Sequence, residues 1–151
     1  KLIEYNARFG DPECQVLMSR LESDLVRLML ACANGTLGEQ GPVAMSGDYA
    51  LTVVMAAKGY PGTPTNGGAI DLGDAEAQGA KVFHAGTVLS DGRLVASGGR
   101  VLAVTARGPS VTATQAAAYA AVDAIRFPDG FCRRDIGWRE VAREVDGAAQ
   151  G

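Results

Sequence analysis

Apolar and polar side chains alternate strictly at the start of the chain. Ile3, Tyr5, Ala7 and Phe9 fall on one side, and Glu4, Asn6 and Arg8 on the other. A period of two predicts a strand over residues 1–9, ended by Gly10. The period then lengthens: Val16, Leu17, Leu21, Leu25, Leu28, Met29 and Cys32 recur at spacings of three and four, which predicts one long helix over residues 11–35. Asp11 suits its N-cap, Pro12 its first position, and Glu13 the positive end of its dipole, while Asn34-Gly35 supplies the stop. A Gly-rich connection, residues 36–48, separates this part from short β-type runs, "YALTVVMAA", "AKVFHAGTVL", "RLVAS" and "RVLAVTAR". Ser90-Asp91-Gly92-Arg93 reads as a hairpin turn through its Asp-Gly pair. "SVTATQAAAYAAVDAIRF" reads as an Ala-rich helix capped by Ser110, and "DIGWREVAREV" as a shorter one followed by a frayed "DGAAQG" tail.

These elements predict an α+β protein: a strand and long helix over residues 1–38, then a second unit over 39–151 with an antiparallel sheet and packed helices. The length of 151 residues suffices for one ordinary domain or two small ones, and the 47% hydrophobic and 21% charged content is that of a globular protein. A net charge of −3, with no Lys/Arg-rich run, argues against nucleic acid as a partner. No apolar stretch approaches the roughly 20 residues that span a bilayer, so no membrane partner is expected. Three widely spaced cysteines, Cys14, Cys32 and Cys132, read as reduced, buried packing residues of a cytoplasmic protein. With His84 the single histidine, Ser-His-Asp chemistry and multi-histidine metal sites are set aside. The chain enters directly in strand pattern with no initiator Met, which suggests the C-terminal piece of something longer.

The polar row of the first strand carries the chemistry. Side chains at alternate positions share one face, about 6.6 Å apart. The carboxylate of Glu4 and the amide oxygen of Asn6 are thus placed to converge on a hard cation such as Mg²⁺, which takes one or two protein oxygens plus substrate phosphates. Arg8, next in the row, suits bidentate grip on a carboxylate or phosphate. A helix beginning just beyond would offer backbone N–H groups to an anion. The alternative is an amphipathic strand whose polar face meets water, and E-x-N-x-R alone does not decide between them.

"IEYNARFGDPECQ" resembles the last core strand of the ATP-grasp ligases, and in its extended form, "N-x-RFGDPE", it is similar to the phosphoribosylamine–glycine ligase family (glycinamide ribonucleotide synthetases). "SDLVRLMLACANG", "VVMAAKGYPG", "KVFHAGT", "GGRVLAVTA", "YAAVDAI" and "FCRRDIGWR" follow in order with the same look. The resemblance implies a ligase that joins glycine to 5-phosphoribosylamine through an acyl phosphate, using ATP and Mg²⁺ (or Mn²⁺). It implies that Glu4 and Asn6 bind the metal and so the nucleotide, and that Arg8 steadies the acyl phosphate or substrate carboxylate. Residues 1–38 would close the ATP-grasp core and 39–151 would be the C-terminal domain. The missing N-terminal part of the enzyme would be the partner, and the piece alone would not turn over.

Further substrate contacts are assigned with an alternative beside each. Asp11 and Glu13 match the motif, and either hold a substrate amine or ribose hydroxyls or serve the helix start. Lys58, in "KGYPG", either faces the ribose phosphate or sits on a tight turn. The "TPTNG" that follows departs from the family's usual Tyr and Lys. Arg100, after Gly98-Gly99, belongs to a phosphate-facing loop or a plain turn. His84 reads as structural, and Arg133-Arg134 as a salt-bridged surface between domains. The rival functions are another ATP-grasp carboxylate–amine ligase and a non-catalytic structural module.

Overall fold

The computed structural model describes residue 2 and residues 8–148. Glu4 and Asn6, which hold most of the polar row expected of a strand, lie outside these residues, while Arg8 sits in a bend. Four strands form an antiparallel sheet in the order β2-β5-β1-β6: β1 (Tyr49–Ala57), β2 (Lys81–His84), β5 (Arg100–Gly108) and β6 (Gly130–Cys132). A separate hairpin joins β3 (Thr87–Ser90) to β4 (Arg93–Ala96). Its turn places Asp91 at φ 51° and Gly92 at φ 74°, the left-handed pair that suits the twist of a two-residue hairpin. The expected α+β class and antiparallel sheet are both present.

The pleat of β1 explains how the sheet is covered. Leu51, Val53 and Met55 pair with Ala106, Val104 and Leu102 across the β1–β5 ladder, and all six are buried. On that face lies α3 (Val111–Ala124), whose Thr114, Ala118, Ala121 and Val122 recur one helical turn apart and are buried. Small side chains there let the helix lie close to the sheet. Thr52 and Val54 point to the other face, against which α1 (Glu13–Arg20) packs. Because β5 is central and covered on both sides, its run Val101–Ala106 is buried without alternation.

Several expectations are corrected. The single long helix is two, α1 and α2 (Leu25–Ala33). Leu21 leaves the helix at ψ 125° and bridges Met45, Ser23 Oγ accepts from Ala44 N, and the Asp24 carboxylate caps α2 through Arg27 N. Ser-Asp offers the backbone a cap here, and the cap outcompetes continuation. Asp11 is not the N-cap of α1; Pro12 stands there and provides no side-chain cap. "AKVFHAGTVL" is two strands in different sheets, broken at Ala85-Gly86. The three-residue β6 was not anticipated, and α4 (Trp138–Ala148) runs into the tail that was expected to fray. All three cysteines are free thiols: Cys32 is exposed, Cys14 is half-buried, and only Cys132, also half-buried, packs against the core as expected.

Candidate functional site

Arg8 is exposed, and its Nη1 donates to the Phe9 carbonyl at 2.6 Å. Two residues expected to touch substrate hold each other. Arg100 Nη1 donates to the main-chain oxygen of Asp11 at 2.9 Å, and Nη2 to its carboxylate at 3.0 Å. The other carboxylate oxygen of Asp11 accepts from Gln15 Nε2 at 3.3 Å. Glu13 opens α1 and is exposed, an acidic group in the first turn of a helix.

The "KGYPG" loop behaves as a tight turn. Lys58 N donates to Asp129 O and Lys58 O accepts from Thr65 N, each at 2.8 Å, while Nζ stands 3.9 Å from the Asp129 carboxylate with both side chains largely in solvent. The ring of Tyr60 lies against Gly99, where any side chain would collide with it. Gly99 O accepts from Ala57 N, so Gly98-Gly99 is a packed turn that delivers Arg100 to the start of β5. Between the start of α1 and the open face of the sheet is a cleft of about 250 Å³, flanked by Pro12, Tyr60, Arg100 and Arg133. The structure therefore gathers Asp11, Arg100 and the "KGYPG" loop around one place.

The remaining candidates are structural in their contacts. His84 Nδ1 shares a hydrogen bond with Thr87 Oγ1. Arg133 pairs bidentately with Asp135, and Arg134 with Asp123, stacking also over Tyr119. These carboxylates belong to the same unit, and the Arg133 guanidinium holds Asp135 below the usual carboxylate range. Sequence reasoning missed Arg107 altogether. It donates to Ser19 O, Ser46 Oγ and the Asp48 carboxylate at 2.8–2.9 Å, tying the end of α1 to the end of β5. No sequence signal announces such a contact, because its partners lie 59 to 88 residues away.

Among the described residues no group of three or more His, Cys, Asp or Glu is placed to hold a metal. No helix among them is long and apolar enough to cross a membrane. A second, wholly apolar groove of about 700 Å³ runs between α1 and α2, lined by Leu17, Leu21, Leu25, Leu28 and Met29. With no polar atom on its walls it is a packing face, unsuited to catalysis.

Comparison with known proteins gives this geometry a family. A phosphoribosylamine–glycine ligase of Mesorhizobium japonicum is 58% identical over 145 residues, covering 95% of this chain and 34% of that protein. The chloroplastic phosphoribosylamine–glycine ligase of Arabidopsis thaliana is 53% identical, covering 95% of this chain and 28% of that one. The chain thus spans about a third of the length of the curated relatives it matches. The crystal structure of the phosphoribosylamine–glycine ligase of Thermotoga maritima superposes with a TM-score of 0.77 at 34% identity, over 89% of this chain and 32% of that one. Residues 50–139 match the family described as phosphoribosylglycinamide synthetase, C domain, and the chain belongs to that family.

Proposed function

We propose that the intact protein joins glycine to 5-phosphoribosylamine, giving glycinamide ribonucleotide, and that this chain is its C-terminal piece. The glycine carboxylate takes the terminal phosphoryl group of ATP, and the ribosylamine nitrogen then displaces phosphate from the acyl phosphate. Residues 1–38 close the ATP-grasp core and 39–151 form the domain beside it; the stretch matched to the family lies inside the second. The observation that carries the reading is the similarity over 95% of the chain to relatives of that name, at up to 58% identity.

Glu4 and Asn6 form a donor set of hard oxygens, which fits Mg²⁺ or Mn²⁺ shared with ATP phosphates. When bound, such a cation neutralises charge on the transferring phosphoryl group. Arg8 supplies a guanidinium for the acyl phosphate or the glycine carboxylate. Asp11, Glu13, Lys58 and Arg100 are the further candidate substrate contacts, and two of them, Asp11 and Arg100, also engage each other. The apolar groove between α1 and α2 is covered by the N-terminal part of the same enzyme. The free cysteines suit a reducing, cytoplasmic site of action.

The test is ADP release dependent on glycine and phosphoribosylamine. In the intact enzyme, Glu4→Gln and Asn6→Ala are each expected to cost several kcal/mol of transition-state stabilisation, a fall of about a hundredfold or more. The isolated chain is expected to release no ADP. Full activity in both variants would refute the reading in favour of a non-catalytic polar face, and normal turnover by the isolated chain would refute its being an incomplete piece.

A further inference from the structure

We infer that α1 is the second covering layer of the antiparallel sheet, so that the cooperative folded unit begins at Asp11 and the Gly-rich stretch 36–48 is not a linker between domains. Only the excursion that carries α2, residues 25–41, stands outside that unit. None of this depends on the ligase reading above.

The stretch matched to the family, residues 50–139, holds the sheet and α3, and α3 covers one face alone. The pleat puts Thr52, Val54 and Ala56 of β1 on the other face, where Thr105 stands opposite Thr52 and Ala103 opposite Val54. Those positions are dry. Ala56, Ala103 and Thr105 are 5%, 4% and 2% exposed, and the helix packed over β1 and β5 on this side is α1. Thr105 Oγ1 donates to Thr52 Oγ1 at 2.8 Å, so the polar atoms of the face satisfy each other and small side chains leave room for a helix. A sheet buried on both faces needs a layer on each. The matched stretch lacks one of them.

The end of α1 is tied to the very residues that looked like a linker. Ser46 N donates to Arg20 O at 2.7 Å, Glu22 N and Ser23 N both donate to Ala44 O, and Ala44 N donates to Ser23 Oγ. Ser46 is buried; its carbonyl accepts from Arg20 Nη2 and its hydroxyl from Arg107 Nη2. Residues 44–46 thus run beside residues 20–23 and close the base of the α2 excursion before β1 begins. The ion pairs Arg100–Asp11 and Arg107–Asp48 are wetted and contribute little; burial and main-chain hydrogen bonds make the attachment. Past that base the packing thins. Ala31 is the one buried residue of α2, which rests chiefly on the short turn Leu37–Glu39. Few buried contacts and exposed backbone are the physical marks of a segment that opens locally.

The experiment is native-state hydrogen exchange on the intact protein, comparing the parent with Leu102→Ala. Leu102 pairs with Met55 on the α3 face of the sheet, so its loss touches α1 only through shared cooperativity. Amides of α1 are expected to exchange faster by the same factor as those of β1 and β5, about 30-fold or more and equal within about threefold. Amides of α2 should keep the parent rates, because they exchange by local opening. A sheet that accelerates while α1 does not would assign α1 to another folding unit and overturn the inference. An α2 that accelerates as much as the sheet would overturn the separateness of the excursion. Should Leu102→Ala not accumulate folded, Val104→Ala removes less volume from the same face and reads the same comparison.

Discussion

At the amino end of α3 the first turn is capped from two directions. Ser110 Oγ accepts from Ala113 N, while Val111 N and Thr112 N donate to the carboxylate of Glu144 on α4, which also accepts from Thr112 Oγ1. The N–H groups of the first three helical residues, orphans in an isolated helix, are all satisfied. The same donors, with the Thr112 hydroxyl foremost, lower the pKa of Glu144 below its ordinary value. A carboxyl with a lowered folded pKa stabilises fully above its unfolded value, about 4.3, and the contribution disappears as pH falls through the folded value. Glu144→Gln should therefore lower the thermal midpoint at pH 7, and the gap to the parent protein should narrow as pH falls below the unfolded carboxylate value. A gap as wide in acid as at neutrality would mean the charge is not what matters. Ser110 as a cap was legible in the sequence, because the residue type and the local turn suffice. Glu144 was not, since its role depends on where another helix docks. Asp11 fails for the same reason: its letters fit an N-cap, and a guanidinium 89 residues away claims its oxygens.

The elements that were read correctly have one period throughout and need no partner to be recognised. β1 spans Tyr49–Ala57, the limits its β-branched and aromatic run suggests. The β3–β4 turn follows from Asp-Gly alone. What was misread had two competing signals. Residues 11–35 carry one continuous apolar stripe, yet Ser23 and Asp24 interrupt the backbone, and the caps prevail. Gly130–Cys132 is too short to show a period and is a strand only because β1 pairs with it. β5 is the element on which the rest depends, covered by α3 on one face and α1 on the other. Leu102, paired with both Met55 and His84, is its largest fully buried side chain. Leu102→Ala should cost about 2–5 kcal/mol in denaturant unfolding, from lost transfer energy and the cavity left behind. A loss below about 1 kcal/mol would show that α3 can collapse onto the sheet and that the layer is less tightly packed than its burial implies.

On the scale of the molecule, the chain has one finished core and one unfinished face. The sheet and α3 bury a continuous cluster, while α1 and α2 leave Leu17, Val26, Met29 and Leu30 between 41% and 65% exposed beside an apolar groove. Exposed apolar patches of this kind mark surfaces that another body covers. The stripe was legible in the sequence as a helix face; that nothing in the described chain covers it was not, because a pattern gives orientation and not occupancy. Met29→Lys separates the possibilities by sign. In the isolated chain a charge on the groove should reduce self-association, measured by sedimentation velocity, without loss of fold. In the intact enzyme the same charge would be buried without a partner and should cost about 1–3 kcal/mol of stability. An intact enzyme indifferent to Met29→Lys would mean the groove faces water there too, and that the N-terminal part of the protein meets this piece through another surface.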